Sequence, residues 1–176
     1  MRCFSFAALA VLAAPASADV VSQGDSAFHV THDVQLVIPP DEAFALLSNP
    51  SRWWSAEHSY SGDSANLSMN LRPGGCFCEA LPDNGGFVEH MRIAQVFSGE
   101  KIVMTGGLGP LVNEPATGTM VWTVERVAGG AKISVDYKVF GTPGTASRMA
   151  KAVDFVLGEQ VKRLRRASLG NRRDLP

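Results

Sequence analysis

Beyond its first 18 residues the chain has no unbroken apolar stretch approaching the roughly 20 residues that a membrane span requires, so no integral membrane segment is expected in the mature protein. Neither sign of charge predominates: 16 Lys and Arg stand against 17 Asp and Glu, for a formal charge of −1. Bulk electrostatics therefore points to neither nucleic acid nor an anionic membrane as a partner. Motifs with a fixed chemistry are also missing. There is no HExxH, P-loop, serine nucleophile motif or dinucleotide fingerprint, so protease, kinase, hydrolase and dehydrogenase activities lack support and no cofactor is expected. The glycine-rich run at 106–111 lacks the lysine of a phosphate-binding loop and opens no long helix. Internal repeats are absent. Cysteine is scarce: the chain has three, and two of them, Cys76 and Cys78, stand one residue apart in GGCFCEAL.

What is present begins with a leader. Arg2 precedes an apolar run from Phe4 to Ala14, then Pro15 and the small triplet Ala16-Ser17-Ala18. This is the pattern of a secretory signal peptide cut after Ala18, and it predicts a periplasmic or secreted protein. Cys3 leaves with the leader, and no cysteine stands at the cut to carry a lipid. The remainder is the size of one domain, expected over 27–168 and followed by a basic tail at 169–176. Lys162, Arg163, Arg165, Arg166, Arg172 and Arg173 crowd that end. They suit the negative dipole end of a terminal helix.

Residues 28–38 begin with alternation and end apolar before Pro39-Pro40, which reads as a strand. Pro40, Asp41 and Glu42 then open a short helix with Ala43, Phe44, Leu46 and Leu47 on its apolar side, stopped at Asn49-Pro50. A turn carries Trp53-Trp54, and a polar stretch leads to alternating Leu67, Met69 and Leu71. Short strands separated by turn signals follow: 75–81, 87–97, 101–105, 117–127 and 131–140. From Thr145 to about Ser168 the period changes. Met149, Val153, Val156, Val161 and Leu164 recur at helical spacing, predicting an amphipathic helix about 36 Å long.

This order predicts an α+β fold in which a curved antiparallel sheet of about six to seven strands wraps a long C-terminal helix. A helix held by a curved sheet leaves part of the concavity unfilled, and that space is the expected pocket. Candidate lining residues are Trp53, Trp54 and Phe77, then Met104, Leu108, Trp122 and Tyr137 from the later strands and loop, and Met149, Val153 and Val156 from the helix. With Phe87, Phe140 and Phe155, the aromatics spread over sheet and helices. They read as core and cavity lining and not as a stacking platform for bases. Adjacent Trp53 and Trp54 are expected to point different ways, one inward and one toward the cavity mouth or solvent.

Cys76 and Cys78 allow two readings. Export permits a bridge between them. In an extended strand, however, their α-carbons would be about 6.6 Å apart, near the upper limit for a disulfide, with side chains running parallel. Either the strand bulges, helped by Gly74-Gly75, or the thiols stay free. Cys76, Cys78, Glu79, Glu89, His90, His58 and Asp63 include ligand types that zinc or copper accepts, but C-x-C alone is a weak metal signal and no metal is assigned. His90 falls opposite Phe77 or Cys78 depending on hairpin register. Held by Glu79 or Glu89, it could serve acid–base chemistry in the pocket. A register-fixing cross-strand ion pair is the plainer alternative.

The ordered set Pro39-x-x-x-x-Phe44 with Leu46-Leu47, Trp53-Trp54, Ser61-Gly62-Asp63, Gly74-Gly75-Cys76-Phe77-Cys78-Glu79, Glu89-His90, the 106–111 loop and Val153-Asp154 resembles the SRPBCC superfamily. That group includes START, birch-pollen-allergen-like and polyketide cyclase proteins. The likeness spans about 28–167 and is nearest to exported bacterial members described as polyketide cyclase/dehydrase-like or chaperone ATPase activator-like. It implies a helix-grip fold around a cavity for lipids, polyketides or aromatic compounds. The partner it implies is a small hydrophobic molecule; no protein partner follows. A mechanism does not transfer, because no catalytic set matches residue by residue. Binding of such a ligand is the leading expectation. A cyclase/dehydratase using His90 with Glu79 or Glu89, and a thiol-based metal or redox site at Cys76/Cys78, are the alternatives.

Overall fold

A computed structural model describes residues 18–170. The expected leader, apart from Ala18, and most of the basic tail lie outside the described residues. Eight strands form one antiparallel sheet: β1 (Ala18–Gln23), β2 (Ala27–Leu36), β3 (Leu67–Met69), β4 (Cys76–Leu81), β5 (Gly86–Phe97), β6 (Lys101–Gly106), β7 (Ala116–Val127) and β8 (Gly130–Gly141). Their spatial order is β1-β2-β8-β7-β6-β5-β4-β3, so a meander from β3 to β8 closes onto the N-terminal hairpin. Among the described residues two α-helices complete the fold, α1 (Pro40–Leu47) and α2 (Thr145–Gly170), with short 3-10 turns between elements. The α+β helix-grip arrangement read from the sequence is the one observed.

The strand count exceeds the six to seven expected because β1 was not foreseen. It is an edge strand whose Val21, Ser22 and Gln23 are all exposed, so its sequence carries no burial alternation to read. On β2 the alternation is clear, with Phe28, Val30, His32, Val34 and Leu36 buried. α1 starts on Pro40, carries Asp41 and Glu42 in its first turn, and buries Ala43, Leu46 and Leu47.

α2 lays Ala146, Ala150, Val153, Leu157, Val161 and Leu164 inward, chiefly against β2 and β1. Contact is close at Gly158. A β-carbon there would meet the ring of buried His32 at 2.9 Å. His32 in turn sits 2.9 Å from Asp154, one helical turn earlier on α2.

Large side chains fill the middle of the sheet's concavity. Trp53 packs against Trp122, with ring centres 5.8 Å apart, and against Trp54 at 5.5 Å. Trp54 meets Phe77 at 5.2 Å. Met104, Met120, Ile133 and Tyr137 close the remaining space. Room for a guest therefore survives only toward one end.

A cavity beside a buried histidine and carboxylate

The space at that end has a volume of about 310 Å³. One wall is the α2 face bearing Met149, Ala152, Val153 and Val156, and the segment from Trp54 to Tyr60 and the loop Leu108, Gly109 and Pro110 form others. The sheet contributes a single residue, His90. A larger hollow of about 710 Å³ along the outer side of β2, β7 and β8, among His29, Thr119 and Lys138, is an open surface depression without enclosing walls.

The Trp54–Tyr60 wall is held in place from both ends. The Ser55 amide donates to Gln160 Oε1 at 2.8 Å, Arg163 Nε donates to Trp53 O at 3.0 Å, and His58 Nε2 lies 2.8 Å from Glu159 Oε2, all on α2. At the other end the Tyr60 and Ser61 amides both donate to Glu79 on β4. The loop wall has its own tether. The Tyr137 hydroxyl donates to Gly106 O at 3.2 Å and accepts from Leu108 N at 3.1 Å, and burial pushes its pKa up to about 12. Gly107 permits the tight turn there, since a β-carbon would lie 2.7 Å from the Leu111 backbone.

His90 reaches the cavity through a fault in the β4–β5 ladder. Phe77 pairs with Met91 but Cys78 pairs with Glu89, leaving His90 as an extra residue on β5. In a regular ladder His90 would sit opposite Cys78 and share its outward face. The bulge instead puts His90 and Met91 side by side in the interior, both buried.

Glu79, on the inward face of β4 and fully buried, receives His90 Nε2 at 3.0 Å. Burial pushes the Glu79 carboxyl up, but hydrogen bonds from Ser61, Tyr60 and His90 outweigh it and hold the group below its ordinary value. An ionised carboxylate only accepts, so Nε2 carries the proton. Burial also lowers the His90 pKa, against the pull of Glu79 in the other direction. The ring is therefore neutral near pH 7. Its Nδ1 is left as a buried acceptor with no partner. The rings of Phe77 and Tyr60 lie 5.0 and 5.9 Å from it.

The structure sorts the residues expected from the sequence. Trp54, Leu108, Met149, Val153 and Val156 line the cavity with His90. Trp53, Phe77, Met104, Trp122 and Tyr137 do not. They are core, because interlocking aromatic rings and methionines occupy the concavity where the pocket was expected. Trp53 packs inward and Trp54 lines the cavity, so the pair divides between core and cavity and neither reaches solvent. Both are buried, with Trp53 Nε1 donating to Leu46 O and Trp54 Nε1 to His58 O. Phe87, Phe140 and Phe155 are exposed and not core. Glu89 is on the outer side of β5, bonded to Arg92 at 2.7 Å, so of the two carboxylates only Glu79 meets His90. Tyr60 and Pro110 are wall residues that the sequence did not mark, since both read as turn.

Cys76 and Cys78 face away from the cavity and are joined by a disulfide, their α-carbons 5.4 Å apart. Among the described residues, one cluster has the donor spacing for a metal: Cys76, Cys78 and Glu89, with donor atoms within 4.8 Å of one another. Its two sulfurs are bonded to each other and offer no thiolate in this state. His58, Asp63, Glu79 and His90 do not join it.

No protein-family model and no curated protein matches the sequence. Solved structures resemble it in fold. Protein MLL2253 from Mesorhizobium loti aligns at TM-score 0.60 and 16% identity, covering 84% of this chain and 99% of that one. StfQ, the di-domain ARO/CYC of the steffimycin biosynthetic pathway, aligns at TM-score 0.57 and 13% identity over 84% of this chain and 52% of StfQ. CalU16 from Micromonospora echinospora aligns at 0.52 and 10% identity over 89% and 93%. At these identities the likeness establishes a helix-grip type of fold and no more.

Proposed function

We propose that the protein binds a small, largely apolar molecule in the cavity between α2, the Trp54–Tyr60 segment and the Leu108–Pro110 loop, and that it does so after export across the cytoplasmic membrane. The observation that carries the reading is a partly open cavity of about 310 Å³, walled mainly by apolar side chains, with a buried histidine as its single contribution from the sheet. Such a combination of apolar walls and few polar groups is what small-molecule sites share. A structural neighbour, the di-domain ARO/CYC StfQ of the steffimycin biosynthetic pathway, gives the reading support at the level of fold. The leader-like residues 1–18 supply the argument for export.

The test is a fluorescence titration with the uncharged dye N-phenyl-1-naphthylamine. Saturable binding is expected for the native protein. Val153→Trp, which fills the cavity from α2, should weaken it at least tenfold while circular dichroism stays unchanged. Equal binding by both proteins sinks the reading.

A second reading, acid–base catalysis in the same cavity, is favoured by one observation. Glu79 fixes the proton of His90 on Nε2 and leaves Nδ1 as a base in apolar surroundings. Glu79 then acts as a positioning residue. Exchange of the α-protons of a bound aromatic ketone such as α-tetralone in deuterium oxide should be accelerated by the native protein and not by His90→Ala, with dye binding retained in both. Identical exchange rates would discard catalysis and leave binding standing.

A further inference from the structure

On the cavity reading above, we infer that the site selects ring compounds bearing a neutral hydroxyl, a phenol or enol, and discriminates against the corresponding carboxylates. The polar group that decides is His90 Nδ1. It is buried in a side chain that is 4% exposed, it has no partner, and its ring forms part of the cavity wall. With Nε2–H committed to Glu79, Nδ1 offers only a lone pair. A buried acceptor without a donor is costly, so a guest that brings an O–H gains more here than one that brings another acceptor.

The charges around the cavity point the same way. Its lining includes Glu57 but neither lysine nor arginine. Glu79 lies directly behind His90, and His58, the other imidazole of the lining, already faces Glu159. An anionic guest would meet Glu57 and Glu79 with no free cation to offset them. A neutral hydroxyl meets no such cost. The Phe77 ring against His90 keeps the acceptor in apolar surroundings, where a hydrogen bond to it is strengthened. Tyr60, 47% exposed and with its ring 5.9 Å from that of His90, is the cavity-wall side chain beside that acceptor.

The experiment uses three guests with one ring system, naphthalene, 2-naphthol and 2-naphthoate, titrated calorimetrically into the native protein at pH 7.5. 2-Naphthol is expected to bind at least tenfold more tightly than either of the others. In His90→Phe, which keeps a flat ring but no acceptor, its advantage over naphthalene should vanish. Equal affinity for naphthol and naphthoate, or a preference for naphthoate, overturns the inference and leaves the cavity reading intact. Binding of none of the three overturns both. The comparison within the native protein decides the matter even if the variant does not fold.

Discussion

At His90 burial and a neighbouring carboxylate oppose one another, and burial prevails, so the imidazole titrates below its ordinary value of 6.5. A folded-state value below the unfolded one means that the unfolded chain binds more protons in between. The associated stability is full above about pH 6.5 and is lost as pH falls through the folded-state value. Glu79 follows the same sign further down, its lowered value giving stability that disappears on acidification below the ordinary 4.5. The protein is therefore expected to lose denaturant stability steadily from pH 7 toward pH 4, and His90→Phe should flatten the upper part of that loss. Equilibrium urea melts across the range check it. A slope unchanged by the variant would show that other groups dominate. Glu79→Ala removes the acceptor of two backbone amides and of His90 together, and about 2–4 kcal/mol of destabilisation is expected from buried donors left unpaired. Glu79→Gln, which keeps one oxygen, should cost less.

In the β4–β5 hairpin, one extra residue determines which side chains share a face. The bulge at His90 rotates the imidazole inward while Cys78 stays outward, and the Cys76–Cys78 bridge draws its α-carbons to 5.4 Å on the opposite strand. A bridge closing so short a loop removes little chain entropy. The Cys76→Ser, Cys78→Ser double variant is expected to lose only about 1.5 kcal/mol, read as a shift of the urea midpoint. A loss several times larger would mean that the bridge holds the register as well as the loop. On α2, two effects compete at Gly158. Alanine there gains about 1 kcal/mol of helix propensity, but its β-carbon would stand 2.9 Å from the ring of buried His32, and overpacking of this kind costs about 1–3 kcal/mol. Crowding against a buried ring should win, giving a net loss by thermal or chemical denaturation.

Across the whole molecule, the cavity's walls come from separate parts of the chain, each held by a few hydrogen bonds. Tyr137, in the sheet, holds the Leu108 loop by two hydrogen bonds. Glu79 and three α2 residues hold the Trp54–Tyr60 segment. Tyr137→Phe, which keeps the ring and loses both bonds, should cost about 1–2 kcal/mol in stability. It should also weaken dye binding several-fold, because the loop no longer has a fixed distance from α2. Unaltered affinity would show that the loop is positioned by Gly107 and Leu111 packing alone. No helix among the described residues is long and apolar enough to cross a membrane.

The sequence by itself determined the class of fold and the secondary structure apart from the edge strand β1. Periods of 2 and 3.6, Pro39-Pro40 before α1, and the glycine turns between strands are local signals that survive whatever the tertiary context. It also marked His90, Glu79 and the α2 face of Met149, Val153 and Val156. Only the tertiary structure decided where the space lies and which carboxylate serves His90. Whether Trp122 or Tyr137 fills a cavity or lines one depends on how Trp53, Trp54 and Phe77 interlock across elements far apart in sequence. A one-residue bulge changes the face of a side chain without changing any local pattern, so His90's partner could not be read until Phe77 was paired with Met91 and Cys78 with Glu89.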